Sequence, residues 1–295
     1  MKLKKRYKSL FILAGIIIVI IVVTVISVNA KNQNSEQGTP EGGPNLIVTG
    51  GTEPGSYNGG DENNGIETLW YYNSGLASRY EAFRMKNPDF TDDEICWMVG
   101  CDLDLIPYED ISAVPDPYSI LLNVNKYYYL PEDYTPNDLI SIGKTMMRKE
   151  AGEAMLEMIA AAEEEGHVLW SQSGFRSYGI QVQLFNDYSA RDGVEAAETY
   201  SARPGHSEHQ TGLTTDLNTI TDAFGETSEG IWAAENCWKF GFIVRYTREN
   251  TNITLYRPEP WHMRYIGRED AKIMHDERMS SFEEYWVKYV KNTPF

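Results

Sequence analysis

Two segments far apart in this 295-residue chain hold its candidate metal ligands, and a fold that uses them must carry the second back alongside the first. The first runs Ser207-Glu208-His209-Gln210-Thr211-Gly212-Leu213-Thr214-Thr215-Asp216 and sets His209 and Asp216 in an H-x6-D spacing. The second is Glu259-Pro260-Trp261-His262. Two imidazoles and a carboxylate fill three corners of a zinc tetrahedron and leave the fourth to water. Glu259 is then a spare carboxylate, the group a hydrolase needs to deprotonate that water. The chain has only five histidines, His167, His206, His209, His262 and His275. H-x6-D is a looser pattern than H-E-x-x-H, so on spacing alone these histidines also read as ordinary core or surface residues.

Ligands from two distant segments require neighbouring strands of one sheet. Strands are expected at His167–Ser173, Leu213–Asn218, Phe242–Tyr246 and His262–Ile266, with Gly212 allowing the turn between His209 and Asp216. Helices are expected at about 149–165, stopped by Gly166, and at 180–191, 228–240, 268–277 and 281–290. Helices and strands mix without βαβ regularity, which indicates an α+β domain with a mainly antiparallel sheet. Upstream, residues 66–120 form a small helical accessory element. It has a helix over 80–85, a turn at Asn87-Pro88-Asp89-Phe90-Thr91 ending in a Thr cap, and a second helix over 92–99.

Charge narrows the partners. The net charge is −17, from 26 basic and 43 acidic residues. Five basic residues, Lys2, Lys4, Lys5, Arg6 and Lys8, fall within residues 1–30, which hold no acidic ones. The remainder, 21 basic against 43 acidic, stands at −22, which excludes a nucleic-acid partner. The basic cluster precedes nineteen almost wholly apolar residues, Leu10 to Val28. At about 1.5 Å rise per residue that run is long enough to cross a bilayer. The expectation is a retained single-pass membrane anchor over residues 1–30, rather than a signal cleaved after Ala30, with everything beyond it outside the cell. Residues 31–65, rich in Asn, Gly, Ser, Glu and Pro, read as a flexible linker. Of the three cysteines, Cys96 and Cys101 pair only if the chain turns between them, and face apart if one helix carries both; Cys237 is expected to be buried.

Three strings resemble those of the VanY-type D-alanyl-D-alanine carboxypeptidases, the zinc D,D-/L,D-carboxypeptidases of bacterial cell walls. They are SGFRSYGIQ (173–181), PGHSEHQTGLTTDL (204–217) and EPWHMRYIG (259–267), in the family's order. Lys126 to Tyr134, KYYYLPEDY, is similar to the family's entry segment, and Thr214-Thr215 departs from the small residues common there. The resemblance covers about residues 120–270, within a catalytic part spanning 121–295. It implies the hedgehog/D,D-peptidase-like zinc peptidase fold, Zn2+ on His209, Asp216 and His262, and Glu259 as the catalytic carboxylate. Arg176, at a strand-to-helix turn, is the candidate partner of the oxyanion, and Gln181 and Ser207 are candidates to bind the substrate's terminal carboxylate. Tyr178, Glu208 and Gln210 read as structural. The implied activity is removal of C-terminal D-Ala from peptidoglycan stem peptides. The alternatives are L,D-carboxypeptidase trimming of tetrapeptide stems, or a non-catalytic wall-binding protein with the same fold. A serine hydrolase finds no support, because Gln172-Ser173-Gly174 lacks the flanking pattern of a nucleophile elbow.

Overall fold

The structure, a computed structural model, describes residues 65–291. The expected anchor and all of the expected linker except Gly65 lie outside the described residues. Among the described residues no helix is long and apolar enough to cross a membrane.

Helix α1 (Ala77–Lys86) leads through the Asn87–Phe90 turn into α2 (Asp92–Gly100). Thr91 and Glu94 close a capping box at the start of α2, each side chain answering the other's free backbone N–H. Because α2 is one continuous helix that runs past Cys96 as far as Gly100, Cys96 and Cys101 are both buried free thiols, as is Cys237. The short strands β1 (Ser112–Ala113) and β2 (Tyr128–Tyr129) pair in parallel. The hairpin β3 (Leu139–Ile142) and β4 (Thr145–Arg148) turns at Gly143. It leads into α3 (Lys149–Glu164), which buries Ala151, Ala154, Met155, Met158 and Ala162 on one stripe. Gly166, with φ 86°, follows the end of α3 in the left-handed conformation.

The central sheet has four antiparallel strands in the order β5 (Ser171–Ser173), β6 (Thr214–Leu217), β8 (Glu259–Tyr265), β7 (Phe242–Tyr246). This is the α+β architecture with an antiparallel sheet that the sequence suggests. β5 is shorter than the expected 167–173 strand. Asn218 explains this: its side chain accepts from Trp170 N and donates to Val168 O while its own N–H donates to Trp170 O, so one residue takes the bonds that a paired strand would share. β8 is longer than expected and starts at Glu259 despite Pro260. The β7–β8 ladder shifts register between Val244 and Tyr246, and a proline lacking an N–H is tolerated where pairing is interrupted.

Helix α4 (Tyr178–Asp192) is capped by Ser177. Helix α5 (Ser228–Asn236) gives way to a 3-10 turn, Cys237–Phe240, so the expected 228–240 helix is two elements. Helices α6 (Arg268–Asp276) and α7 (Phe282–Tyr285) follow, the latter widening into a π-type turn, Trp286–Lys291. One buried apolar cluster joins Tyr80, Trp97 and Val114 of the upstream element to Leu213, Phe242 and Met263 of the sheet region.

Candidate metal centre and cleft

The register of the sheet assembles the site. Asp216 of β6 lies opposite Ser173 of β5 on one side and His262 of β8 on the other. The irregular stretch of β8 brings Glu259 onto the side of His262, with Oε2 3.4 Å from His262 Nδ1. His209 arrives from a 3-10 turn, Glu208–Thr211, closed by Gly212 at φ 70°. That turn is clamped to the segment after β5 by two bonds: His209 Nδ1 lies 2.8 Å from Gly174 O, and Arg176 N donates to His209 O. Position 174 has to be glycine, because a Cβ there would lie 2.4 Å from the Met146 carbonyl oxygen.

His209, Asp216 and His262 are all buried, and one ligand atom from each falls within 4.8 Å of the others. The carbonyl of Gly174 takes the Nδ1–H of His209, so its Nε2 lone pair points toward Asp216 Oδ2, 3.4 Å away. His262 presents Nε2 to Glu208 Oε2 at 3.3 Å, which leaves the Nδ1 lone pair 3.3 Å from Asp216 Oδ1. Asp216 Oδ1 is buried and receives no hydrogen bond. Acceptors thus face acceptors across a small gap, and an orphaned carboxylate oxygen lies among them. A divalent cation with mixed nitrogen and oxygen ligands fits this gap, and His209 Nε2, Asp216 and His262 Nδ1 are the atoms to hold it.

Burial alone would raise the Asp216 carboxyl, but the flanking imidazoles outweigh it and hold the group below the usual carboxylate range. Burial would depress His262, yet the Asp216, Glu208 and Glu259 carboxylates reverse this and raise it well above an ordinary histidine, so Nδ1 must give up a proton in exchange for a cation before its lone pair can ligate. His209 is depressed, first by burial and then by the Arg176 guanidinium.

The centre opens into a cleft of ≈ 120 Å³ lined by Arg176, Ser207, Glu259 and an aromatic wall that includes Tyr188, Tyr200 and Tyr246. Arg176 donates to Gln181 Oε1 at 2.8 Å and to Ser173 Oγ at 3.2 Å and, among the described residues, has no carboxylate ion pair. Gln181 is buried and not among the residues lining the cleft; its Oε1 accepts from Arg176 and its amide nitrogen donates to Ala202 O at 2.7 Å. His206 Nδ1–H donates to Asn125 O at 2.7 Å.

Glu208, read from sequence as merely structural, is the residue whose importance was missed. Its carboxylate touches His262 and receives Arg245 Nε at 2.8 Å and Arg264 Nη1 at 2.9 Å. Burial would raise it, but the two guanidiniums hold it well below the usual range. Arg245 also bonds Glu283 of α7 through both terminal nitrogens. A signal was present in the sequence: Arg245 and Arg264 interrupt the otherwise apolar strands FIVRY and WHMRY.

Comparison with known proteins places this site. The VanY D-alanyl-D-alanine carboxypeptidase family model matches residues 144–268. YodJ of Bacillus subtilis (strain 168), which carries a provisional carboxypeptidase name, is 38% identical over 204 residues, 64% of this chain and 74% of that protein. Among solved structures, the L,D-carboxypeptidase LdcB superposes with a TM-score of 0.57 at 38% identity, covering 61% of this chain and 91% of that one. A vancomycin-resistance D,D-pentapeptidase VanY in complex with Zn(II) superposes with a TM-score of 0.51 at 31% identity, covering 57% of this chain and 98% of that one. With the three motifs converging on one centre, the chain belongs to the VanY family of D-alanyl-D-alanine carboxypeptidases.

Proposed function

We propose that this chain is a zinc-dependent D,D-carboxypeptidase that removes the C-terminal D-Ala from peptidoglycan stem peptides. The observation that carries the reading is that ligand atoms of His209, Asp216 and His262 lie within 4.8 Å of one another around the orphaned Asp216 Oδ1, with a further carboxylate, Glu259, 3.4 Å from His262. Zinc bound there would supply Lewis acidity toward the scissile carbonyl and toward a water. Glu259 accepts the proton of the attacking water and returns it to the departing amine. Arg176, fixed by Gln181 and Ser173, donates to the oxygen that gains charge. Ser207, in the cleft wall, offers a hydroxyl to the free terminal carboxylate. The aromatic wall limits water around the reacting groups and strengthens each of these contacts.

A second reading, L,D-carboxypeptidase action on tetrapeptide stems, is favoured by the likeness to LdcB. Incubating the full chain with pentapeptide and tetrapeptide muropeptides, followed by mass spectrometry, distinguishes the two. Loss of one D-Ala from the pentapeptide supports D,D cleavage, and loss of D-Ala from the tetrapeptide alone supports L,D cleavage. Release of a dipeptide, or no release from either, overturns the carboxypeptidase assignment. We further propose that residues 10–28 anchor the chain in the cell membrane with the catalytic part outside. The basic cluster and apolar run support this, and fractionation followed by N-terminal sequencing tests it.

A further inference from the structure

The proposed chemistry makes no use of a second cavity, of ≈ 460 Å³, which shares Tyr246 with the catalytic cleft. Tyr246 is the cross-strand partner of Glu259, and Pro260, the residue after Glu259, lines this second cavity. Two arginines line it as well, Arg248 and Arg257. Arg248 follows Tyr246 by two residues on the chain leaving β7. Arg257 precedes Glu259 by two residues on the chain entering β8. Two residues of extended chain span at most about 7 Å, so the backbones of both arginines are tethered close to the Tyr246–Glu259 pair. Arg257 also lies over the ring of Tyr200, 4.6 Å from its centroid, and Tyr200 lines the catalytic cleft.

The cavity holds acid as well. Asp222 and Glu226, from the 3-10 turn Asp222–Glu226, line it with the arginines. Among the described residues none of these four side chains forms an ion pair with another, for no pair comes within 4.0 Å. Two cations and two anions kept apart in one cavity present both signs of charge to a ligand. Each sign of charge in the cavity is open to a guest group of the opposite sign.

We infer that this cavity is a subsite for a zwitterionic side chain of the substrate, one bearing an ammonium and a carboxylate on a single carbon, as diaminopimelate does. The inference rests on the reading that the substrate is a peptidoglycan stem peptide. With Ser207 on the terminal carboxylate and Arg176 on the scissile carbonyl in the first cleft, the cavity beyond Pro260 is left for the acyl side of the scissile bond. The guanidiniums bind the side-chain carboxylate, with bidentate geometry available to each, and the Asp222 and Glu226 carboxylates face the ammonium. Lysine at the same position carries the ammonium alone and leaves the two arginines without a partner.

The test compares three stem pentapeptides that differ only at the third residue: meso-diaminopimelate, diaminopimelate with its side-chain carboxylate amidated, and lysine. With the full chain in detergent micelles, kcat/KM is expected to favour diaminopimelate over the other two by roughly tenfold, the effect of one charge-assisted contact. In the Arg248→Gln/Arg257→Gln chain the ratio falls toward one. Both arginines are exposed, and retention of fold is checked by circular dichroism. Equal rates on all three peptides, or a preference that survives the double substitution, overturns the subsite. Equilibrium binding of the same peptides to the Glu259→Gln chain reads the subsite without turnover. A diaminopimelate preference in binding with no cleavage by the unaltered chain keeps the subsite and removes the peptidase reading. Cleavage with no preference in binding does the reverse.

Discussion

His262 Nε2 lies 3.3 Å from Oε2 of Glu208, a carboxylate with no solvent exposure. This contact decides which nitrogen of His262 faces the metal centre. A carboxylate on Nε2 holds the proton there and leaves Nδ1 to ligate. Glu208 is itself fixed by Arg245 and Arg264, and Arg245 is neutralised in turn by Glu283, so two buried cations balance two buried anions. Such a balance is required at full burial, because an unmatched charge there is heavily penalised.

Glu208→Gln is therefore expected to lower zinc affinity by about 10–100-fold, the range for removing the outer partner of a ligating histidine. It also leaves Arg245 and Arg264 short of an anion and destabilises the fold by ~3–5 kcal/mol. Competition with a metal chelator measures the first effect and a denaturant midpoint the second. Wild-type zinc affinity in this variant would show that His262 is oriented by the sheet alone.

Glu259 is near the ligands but is not needed to complete them. Glu259→Gln should keep the fold and bind metal normally while losing ~10²–10⁴ in kcat. Metal analysis alongside single-turnover rates checks this. Turnover within a few-fold of the unaltered chain would move the base elsewhere.

Gln181 separates two roles that its sequence position left merged. If it bound the substrate's carboxylate, Gln181→Ala would chiefly raise KM. The structure instead shows its amide between Arg176 and the Ala202 carbonyl. The expected outcome is a fall in kcat with little change in KM, as Arg176 loses its support. A stability loss of ~1–3 kcal/mol should accompany it, from the Ala202 carbonyl left without its donor. A pure KM effect would restore the original assignment.

These cases show what the sequence could reveal. That His209, Asp216, His262 and Glu259 meet in space was legible because residue type and local order single them out, and Asp216 and His262 lie on strands. Glu208, Arg245, Arg264 and Glu283 were not, because their partnership spans from residue 208 to residue 283 and depends on the register of β7 against β8. The length of β5 was misjudged for a related reason. The side chain of Asn218, 48 residues from Trp170, takes the place of a strand partner, and no local pattern announces it. Gln181 looked like a cleft residue because position in a motif does not reveal which way an amide points.

His206 gives the fold a measurable pH dependence. It is buried, and burial pushes its pKa below the ordinary histidine value; the Asn125 carbonyl opposes this in part, and Arg203 adds to the depression. As pH falls through about 6.5, the unfolded chain takes up a proton that folded His206 refuses. Its contribution to stability is thus fully present above that pH and is lost below it, at up to ~1.4 kcal/mol per pH unit. His209, also depressed, acts in the same direction, while His262, raised by its carboxylates, acts in the opposite one. Glu208 and Asp216, held low, titrate only in stronger acid. The His206 share is isolated by difference. Denaturant midpoints for the unaltered chain and for His206→Gln, measured between about pH 7.5 and 5, should converge as pH falls, because the variant lacks the protonation step. Two curves that stay parallel across that range would mean that folded His206 takes up its proton as readily as the unfolded chain does.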